Sequence, residues 1–198
     1  MVQSPYRLDE QLLSQLQLCL RTKKDTLKEM LRKICPILYF CCFALAPALG
    51  ERIPKTTSES LTGQEVILPD SLKGHLSVVI VGFSKSSQNG VKAWQTRARK
   101  QLGEGFDIYQ VAVLEDAPRF VRGMITHAMK SSTPAAEQDH FLVVVKGETE
   151  LKKAAGFTDA DDPYVFLLDA GGEIRWRTHG AVSDDALKEL QSQAGHLK

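Results

Sequence analysis

Residues 76–90 read LSVVIVGFSKSSQNG. Leu76 to Phe83 is a near-continuous Leu/Val/Ile run, the composition of a strand covered on both faces of its sheet. Ser84 to Gly90 is a small polar loop. From Asn89 to Leu102, Val91, Trp94, Ala98 and Leu102 fall on one helical stripe. Strand, loop and helix in this order open an α/β unit, and the sequence on either side extends the alternation.

Downstream, Asp107–Leu114 reads as a second strand. Ala117–Lys130 reads as a helix, with Pro118 in its first turn and Phe120, Val121, Met124, Ile125 and Ala128 apolar. Phe141–Val145 is a third strand, and Glu148–Ala155 a short helix stopped by Gly156. Tyr164–Leu168 and Glu173–Arg177 flank Asp169-Ala170-Gly171-Gly172, a hairpin turn signal. Ser183 caps a last helix, Asp184–Ala194. Upstream, Glu65–Leu68 is a short strand before a Pro69-Asp70 turn, and the polar residues 51–63 read as a linker. The order β–β–α–β–α–β–α–β–β–α predicts an α/β domain over 64–198, with a central mixed sheet and helices on both faces.

The chain has 198 residues, 43% hydrophobic and 25% charged, ordinary for one soluble globular domain. A net charge of +1 gives no electrostatic case for nucleic acid or an acidic membrane. All four cysteines (Cys19, Cys35, Cys41, Cys42) precede residue 43. The rest of the chain therefore has no thiolate nucleophile, disulfide or cysteine-ligated metal. His127, His140 and His179 lack metal-ligand spacing, and Asp159, Asp161 and Asp162 read as a solvated turn rather than a calcium loop. No metal or cofactor is expected.

From Met30 the chain reads MLRKICPILYFCCFALAPALGER. Arg32 and Lys33, a 16-residue uncharged run from Ile34 to Leu49, and small residues at 48–50 form the pattern of a secretory signal peptide over 30–50. The run is short for a membrane span, which needs about 20 residues. The expectation is a secreted or periplasmic domain; the alternative is a membrane-anchored one facing the exported side, touching lipid only through 34–49. Residues 1–29, with Leu8, Leu12, Leu16 and Leu20 at fourfold spacing, read as an amphipathic extension, either genuine or placed ahead of a true start at Met30.

The loop 84–89 has no sulfur. A serine there is no nucleophile without a base in contact, and neither His75 nor His127 is placed to act. No catalytic residue is assigned. Ser86, Ser87 or Asn89 caps the Trp94 helix, and the loop rims a contact surface. Asp116 is the expected cap of the Ala117 helix. On the last strand, alternation sends Ile174 and Trp176 to one face and Arg175 and Arg177 to the other. For Arg175 two readings stand: solvated, or reaching beside Pro163 to meet a carboxylate, such as Glu115 or one of a partner.

Two longer segments carry a resemblance. SLTGQEVILPDSLKGHLSVVIVGF (60–83) and DDPYVFLLDAGGEIRWRTHG (161–180) resemble the opening and closing hairpins of thioredoxin-like proteins of the peroxiredoxin-like branch. In that superfamily a cis-proline stands at the place of Pro163. YVFLLDAGGEIRWRTHGAVSDDALKEL (164–190) resembles, more narrowly, the C-terminal signature of the mitochondrial ATP synthase assembly factors, which are thioredoxin-like and lack the redox cysteines. The match rests on Tyr164, Leu167, Leu168, Asp169, Gly172, Ile174, Arg175, Trp176, Gly180 and Ala181, with Trp94 and Glu115 fitting more loosely. The resemblance implies a non-redox binding protein that assists assembly of a membrane or secreted protein. The alternatives are a divergent peroxiredoxin-like or thiol-disulfide oxidoreductase family member, or a small-ligand module. The candidate cleft is assembled from Ser86, Ser87, Gln88, Trp94, Glu115, Pro163, Tyr164 and Arg175, and the expected partner is a protein.

Overall fold

The computed structural model describes residues 50–197; the extension and the signal or anchor segment expected over 1–49 lie outside the described residues. Seven strands form one sheet: β1 (Thr56–Ser60), β2 (Glu65–Leu68), β3 (Ser77–Gly82), β4 (Asp107–Val113), β5 (Phe141–Val144), β6 (Pro163–Leu168) and β7 (Ile174–His179), in the spatial order β2-β1-β5-β4-β3-β6-β7. The centre, β5-β4-β3, is parallel. Both flanks are antiparallel: β6 and β7 beside β3, and β1 and β2 beside β5. The helices are α1 (Gln88–Leu102), α2 (Arg119–Ser132), α3 (Glu148–Ala155) and α4 (Asp184–Gly195).

Alternation along the strands divides the core. Val78, Ile80, Ile108, Val165 and Leu167 pack with Val91, Trp94 and Ala98 of α1 and with Leu187 and Leu190 of α4. Val79, Val81, Val111, Tyr164 and Phe166 take the other face with Leu151 and Ala155 of α3. Helix α2 lies on the α1 side, where Met129 packs against Ala112, Phe141 and Val143. Every residue of β3 and β6 is buried, as their unbroken apolar runs predict.

Three features differ from the sequence reading. First, the segment 51–63 contains β1, which pairs with β2 on one side and β5 on the other. Its inward residues, Thr56, Ser58 and Ser60, are buried hydroxyls rather than apolar groups. They stay inside because each is bonded: Ser58 Oγ donates to the Val66 carbonyl at 2.7 Å, Thr56 Oγ1 to the Pro54 carbonyl at 3.0 Å, and Ser60 Oγ pairs with Thr62 Oγ1 at 2.7 Å. Second, the β6–β7 register shifts, so Leu167 faces Trp176 while Leu168 faces Ile174. Arg175 is the extra residue of a β-bulge. Ile174 and Trp176 therefore pack on opposite faces of the sheet, not on one. Third, among the described residues the cis peptide bond is Leu68–Pro69, and Pro163 is not cis.

Candidate functional site

The loop that follows β3 is closed by its own serines. Ser84 Oγ accepts the Ser87 N–H at 3.1 Å, Ser87 Oγ donates to the Ser84 carbonyl at 2.8 Å, and the Ser84 N–H reaches Ser87 Oγ at 3.4 Å. This reciprocal exchange is the logic of a capping box. Ser87, one of the expected residues, holds the N-cap position of α1, fully buried and with no forward cap bond from its side chain; Ser84 caps the turn that leads into the helix. Ser84 Oγ in turn donates to Asp161 Oδ1 at 2.9 Å, tying the loop to the acidic turn before β6. That turn is solvent-exposed at Asp159 and Asp161, as expected, and Asp162 also meets His179 Nδ1 at 3.1 Å. Gly82 permits the arrangement: a Cβ there would stand 2.6 Å from Ser87 Oγ. Gly90, on the first turn of α1, lies against the Pro163 ring, where a Cβ would come within 2.9 Å of Cγ.

Beside this loop, at the carboxyl ends of the parallel strands, opens a groove of about 790 Å³. Open α/β sheets place ligand sites at this edge. Its floor is Phe83 after β3, Ala112, Val113 and Leu114 at the end of β4, and Phe141. Ile125, Ala128, Met129 and Ser132 of α2 form one wall. Ser84, Lys85, Gln88 and Asn89 form the opposite rim, and Asp116 and Ala117 close the end. The interior is apolar and the polar groups are at the margin.

Of the predicted cleft residues, Gln88 lines this groove and the others are placed elsewhere. Ser86 is exposed beside it. Trp94 is fully buried, its Nε1 donating to the Gly180 carbonyl at 2.8 Å, with its ring 6.5 Å from that of Trp176. Tyr164 is also buried; its hydroxyl accepts the Thr158 and Asp159 N–H groups and donates to the Asp159 carbonyl, all at 2.9 Å. It is stacked between Phe157 and His179. Pro163 is buried beneath α1. Glu115 Oε2 accepts the Glu148 N–H at 2.7 Å, capping α3 across the loop. Asp116 makes no cap: Pro118 holds the N-cap position of α2 with no side-chain bond. Instead, Arg122 fastens the helix start through the carbonyls of Ala117 and Glu115 at 2.8 and 2.7 Å.

Arg175 does not reach Glu115. It bonds Asp169 Oδ2 through Nε at 2.6 Å and Nη2 at 2.5 Å, and Glu173 at 3.1 Å, at the hairpin turn. Asp169 Oδ1 accepts the Gly171 and Glu173 N–H groups at 2.8 and 3.0 Å. Partial burial pushes the Asp169 carboxyl up, but these N–H groups and Arg175 outweigh it and hold the carboxyl below its ordinary value. Gly172, at φ +78°, completes the turn against Pro69, and Gly180, at φ +88°, takes the bend after β7. Behind the floor, Lys152 Nζ lies 4.6 Å from the Phe157 ring centre and 2.5 Å from Glu148 Oε1, whose bond holds the ammonium above its ordinary value. Among the described residues no group of three or more histidine, cysteine or acidic side chains could hold a metal, and no helix is long and apolar enough to cross a membrane.

Helix α2 supplies the part of the groove that residue-type reasoning missed. Its apolar residues are visible in the sequence, but only the structure shows that they are uncovered.

The strand order, the loop at the β3–α1 junction and the closing β6–β7 hairpin define a thioredoxin-like domain. The solved structures agree on the fold. The thioredoxin domain of a thiol-disulfide oxidoreductase from Bacteroides vulgatus is 18% identical, with 77% of this chain and 100% of that one covered and a TM-score of 0.51. The exposed lipoprotein thioredoxin of Streptococcus pneumoniae is 14% identical, with 70% and 98% covered and a TM-score of 0.50. No curated protein sequence matches the chain. The family model of the ATP10 proteins matches residues 50–197, the whole described domain, and the chain belongs to the ATP10 family.

Proposed function

We propose that this domain is a non-redox binding module that assists the assembly of a membrane or secreted protein. The observation that carries the reading is the pairing of a sealed loop with an open apolar groove. Where a thioredoxin-like nucleophile loop stands, Ser84 and Ser87 bond each other and leave no reactive group. The adjacent groove presents Phe83, Val113, Leu114 and Ile125 to a ligand. Apolar floors with polar rims are how proteins take up chain segments. Membership of the ATP10 family, whose resemblance implies an assembly role, supports the same reading. The signal-peptide pattern at 30–50 supports a client on the exported side of a membrane, with an anchored form as the alternative.

The test is capture from detergent-solubilised membranes with the full chain, compared with Ala128→Trp, which fills the groove. Recovery of a membrane protein by the first and its loss with the second is the expected result. Peroxide or insulin reduction well above a buffer control, or equal recovery by both chains, overturns it. The groove volume of about 790 Å³ is also within the range of small-molecule sites. That second reading requires a ligand-dependent rise in melting temperature.

A further inference from the structure

Helix α2 stands apart from the other three. α1, α3 and α4 each bury a row of side chains, whereas no residue of Arg119–Ser132 is buried. Phe120 is 87% exposed and Met124 68%. The other large exposed hydrophobic residue among those described is Val145, which lines a second groove across α2 with Gly123 and Thr126. Phe120, Met124 and Ala128 recur every fourth residue and so lie on one stripe. Ala128 also walls the apolar groove, so stripe and groove are one continuous surface.

The charge on this helix has one sign. Residues 119–132 carry Arg119, Arg122 and Lys130, and no acidic residue. Arg97 of α1 pairs with Asp184, Lys152 of α3 with Glu148 and Lys188 of α4 with Asp185; α1 is likewise without an acidic residue, and its Lys92, Arg99 and Lys100 add to the positive charge on this side of the sheet. Among the described residues, no carboxylate pairs with Arg119, Arg122 or Lys130; Arg122 bonds only backbone carbonyls. Lys85 adds a cation on the opposite rim, against one acid, Asp116. The net charge of the chain conceals this excess on the side of the apolar groove; the second groove, on the other side of α2, has Glu59 and Glu65 in its lining. A second copy would set like charges together, and a flat lipid surface would leave the groove unfilled. An apolar segment with acidic flanks satisfies both the groove and the charge.

Resting on the binding-module reading above, we propose that α2 is the recognition element, and that its ligand is an amphipathic, acid-flanked segment of a partner protein. Apolar side chains of that segment cover Phe120 and Met124 and enter the groove beside Ala128, while its carboxylates meet Arg119 and Lys130.

The experiment uses the full chain and labelled helical peptides of about 18 residues, apolar at i, i+3, i+4 and i+7. One peptide has Glu flanks and the other Lys flanks. Anisotropy is read at about 50 and about 300 mM salt, where the Debye length falls roughly from 14 to 6 Å. The acidic peptide is expected to bind about tenfold tighter or better at low salt, with the preference shrinking at high salt. Phe120→Glu and Met124→Glu should each weaken binding about tenfold or more, and the pair Arg119→Glu with Lys130→Glu should reverse the preference. These side chains are exposed, and unchanged circular dichroism and melting temperature show that each variant folds. Equal binding of both peptides, binding of neither, or indifference to Phe120→Glu overturns the inference. So does a result in which phosphatidylcholine–phosphatidylglycerol vesicles, rather than either peptide, bind in a Phe120-dependent way. If membrane capture persists undiminished in Phe120→Glu, the binding-module reading stands and this inference alone falls.

Discussion

Trp94→Phe separates a core role from a surface role for the residue that the resemblance highlights. Trp94 is fully buried between β3, β6 and α4, and its indole N–H reaches the Gly180 carbonyl at 2.8 Å. Phenylalanine keeps a ring but has no donor. The carbonyl it abandons closes the bend in which the Gly180 N–H donates to the Pro163 carbonyl at 3.0 Å. An unmade bond at such a site costs about 1–3 kcal/mol. The smaller ring also gives up part of its packing with Trp176, and aromatic pairs of this kind contribute roughly 0.5–1.5 kcal/mol. The combined loss is about 1.5–4.5 kcal/mol, its upper end inside the ~3–5 kcal/mol typical of complete removal of a buried Trp or Phe side chain.

Urea unfolding followed by far-UV circular dichroism measures this directly. With a slope of about 2 kcal/mol per molar, the midpoint falls by about 1–2 M while the slope is preserved. Trp176→Phe is the control. Its ring is half-buried and no hydrogen bond of its indole is seen among the described residues, so a smaller loss is expected. A Trp94→Phe chain of unchanged stability that fails to capture its partner would refute the core assignment and return Trp94 to the binding surface.

Three further outcomes follow from the geometry. Arg175→Ala and Glu115→Ala should add within about 0.5 kcal/mol, because Arg175 is held at the hairpin turn and Glu115 at the start of α3, at opposite ends of the strands and with no shared partner; a larger coupling energy in a double-mutant cycle would contradict this. Asp169→Asn keeps an acceptor for the Gly171 and Glu173 N–H groups but loses the charge facing Arg175, for a loss of about 1 kcal/mol at neutral pH. The folded-state pKa of Asp169 is lowered, so its contribution is complete above the ordinary carboxylate range and disappears as pH falls through the lowered value. The variant should therefore show a shallower acid loss below about pH 4 in stability measured against pH. Gly82→Ala forces a Cβ to within 2.6 Å of Ser87 Oγ and 3.1 Å of Val91 Cγ2, and should cost about 1–3 kcal/mol in the same urea assay.

The fold was legible wherever apolar periodicity and turn chemistry coincide. β2, α3, the β6–β7 hairpin and the Ser183 cap stand close to where the residues place them, with Ser183 Oγ accepting the Ala186 N–H at 3.1 Å. β1 was not legible, because its inward side chains are hydroxyls that satisfy themselves locally and leave no apolar alternation to read. The bulge at Arg175 was invisible for a different reason. Period-2 reasoning assumes unbroken pairing, and one extra residue reverses the face of everything beyond it. Ser87 holds the N-cap position of α1 as one of the expected residues, but nothing in the sequence shows that its hydroxyl turns back to the Ser84 carbonyl instead of forward into the helix. The site was least legible because the sequence signals what a residue is, not whether a neighbour covers it. An apolar stripe on α2 reads as core, and its exposure is a tertiary fact.

The residues that carry the resemblance to the assembly factors hold the scaffold together. Asp169, Gly172 and Arg175 build a turn; Trp94, Gly180 and Trp176 fix the bend after β7 against α1; Tyr164 fastens the loop before β6. Each of these residues is spent on the scaffold, and none lines the groove. On the binding-module reading proposed above, these residues hold the fold and the choice of partner falls to positions outside them. We place them on α2 and the β3–α1 loop, where Phe120, Met124 and Lys85 are open to solvent. Substitutions in the signature should therefore lower stability and partner capture together, whereas Phe120→Glu and Met124→Glu lower capture alone.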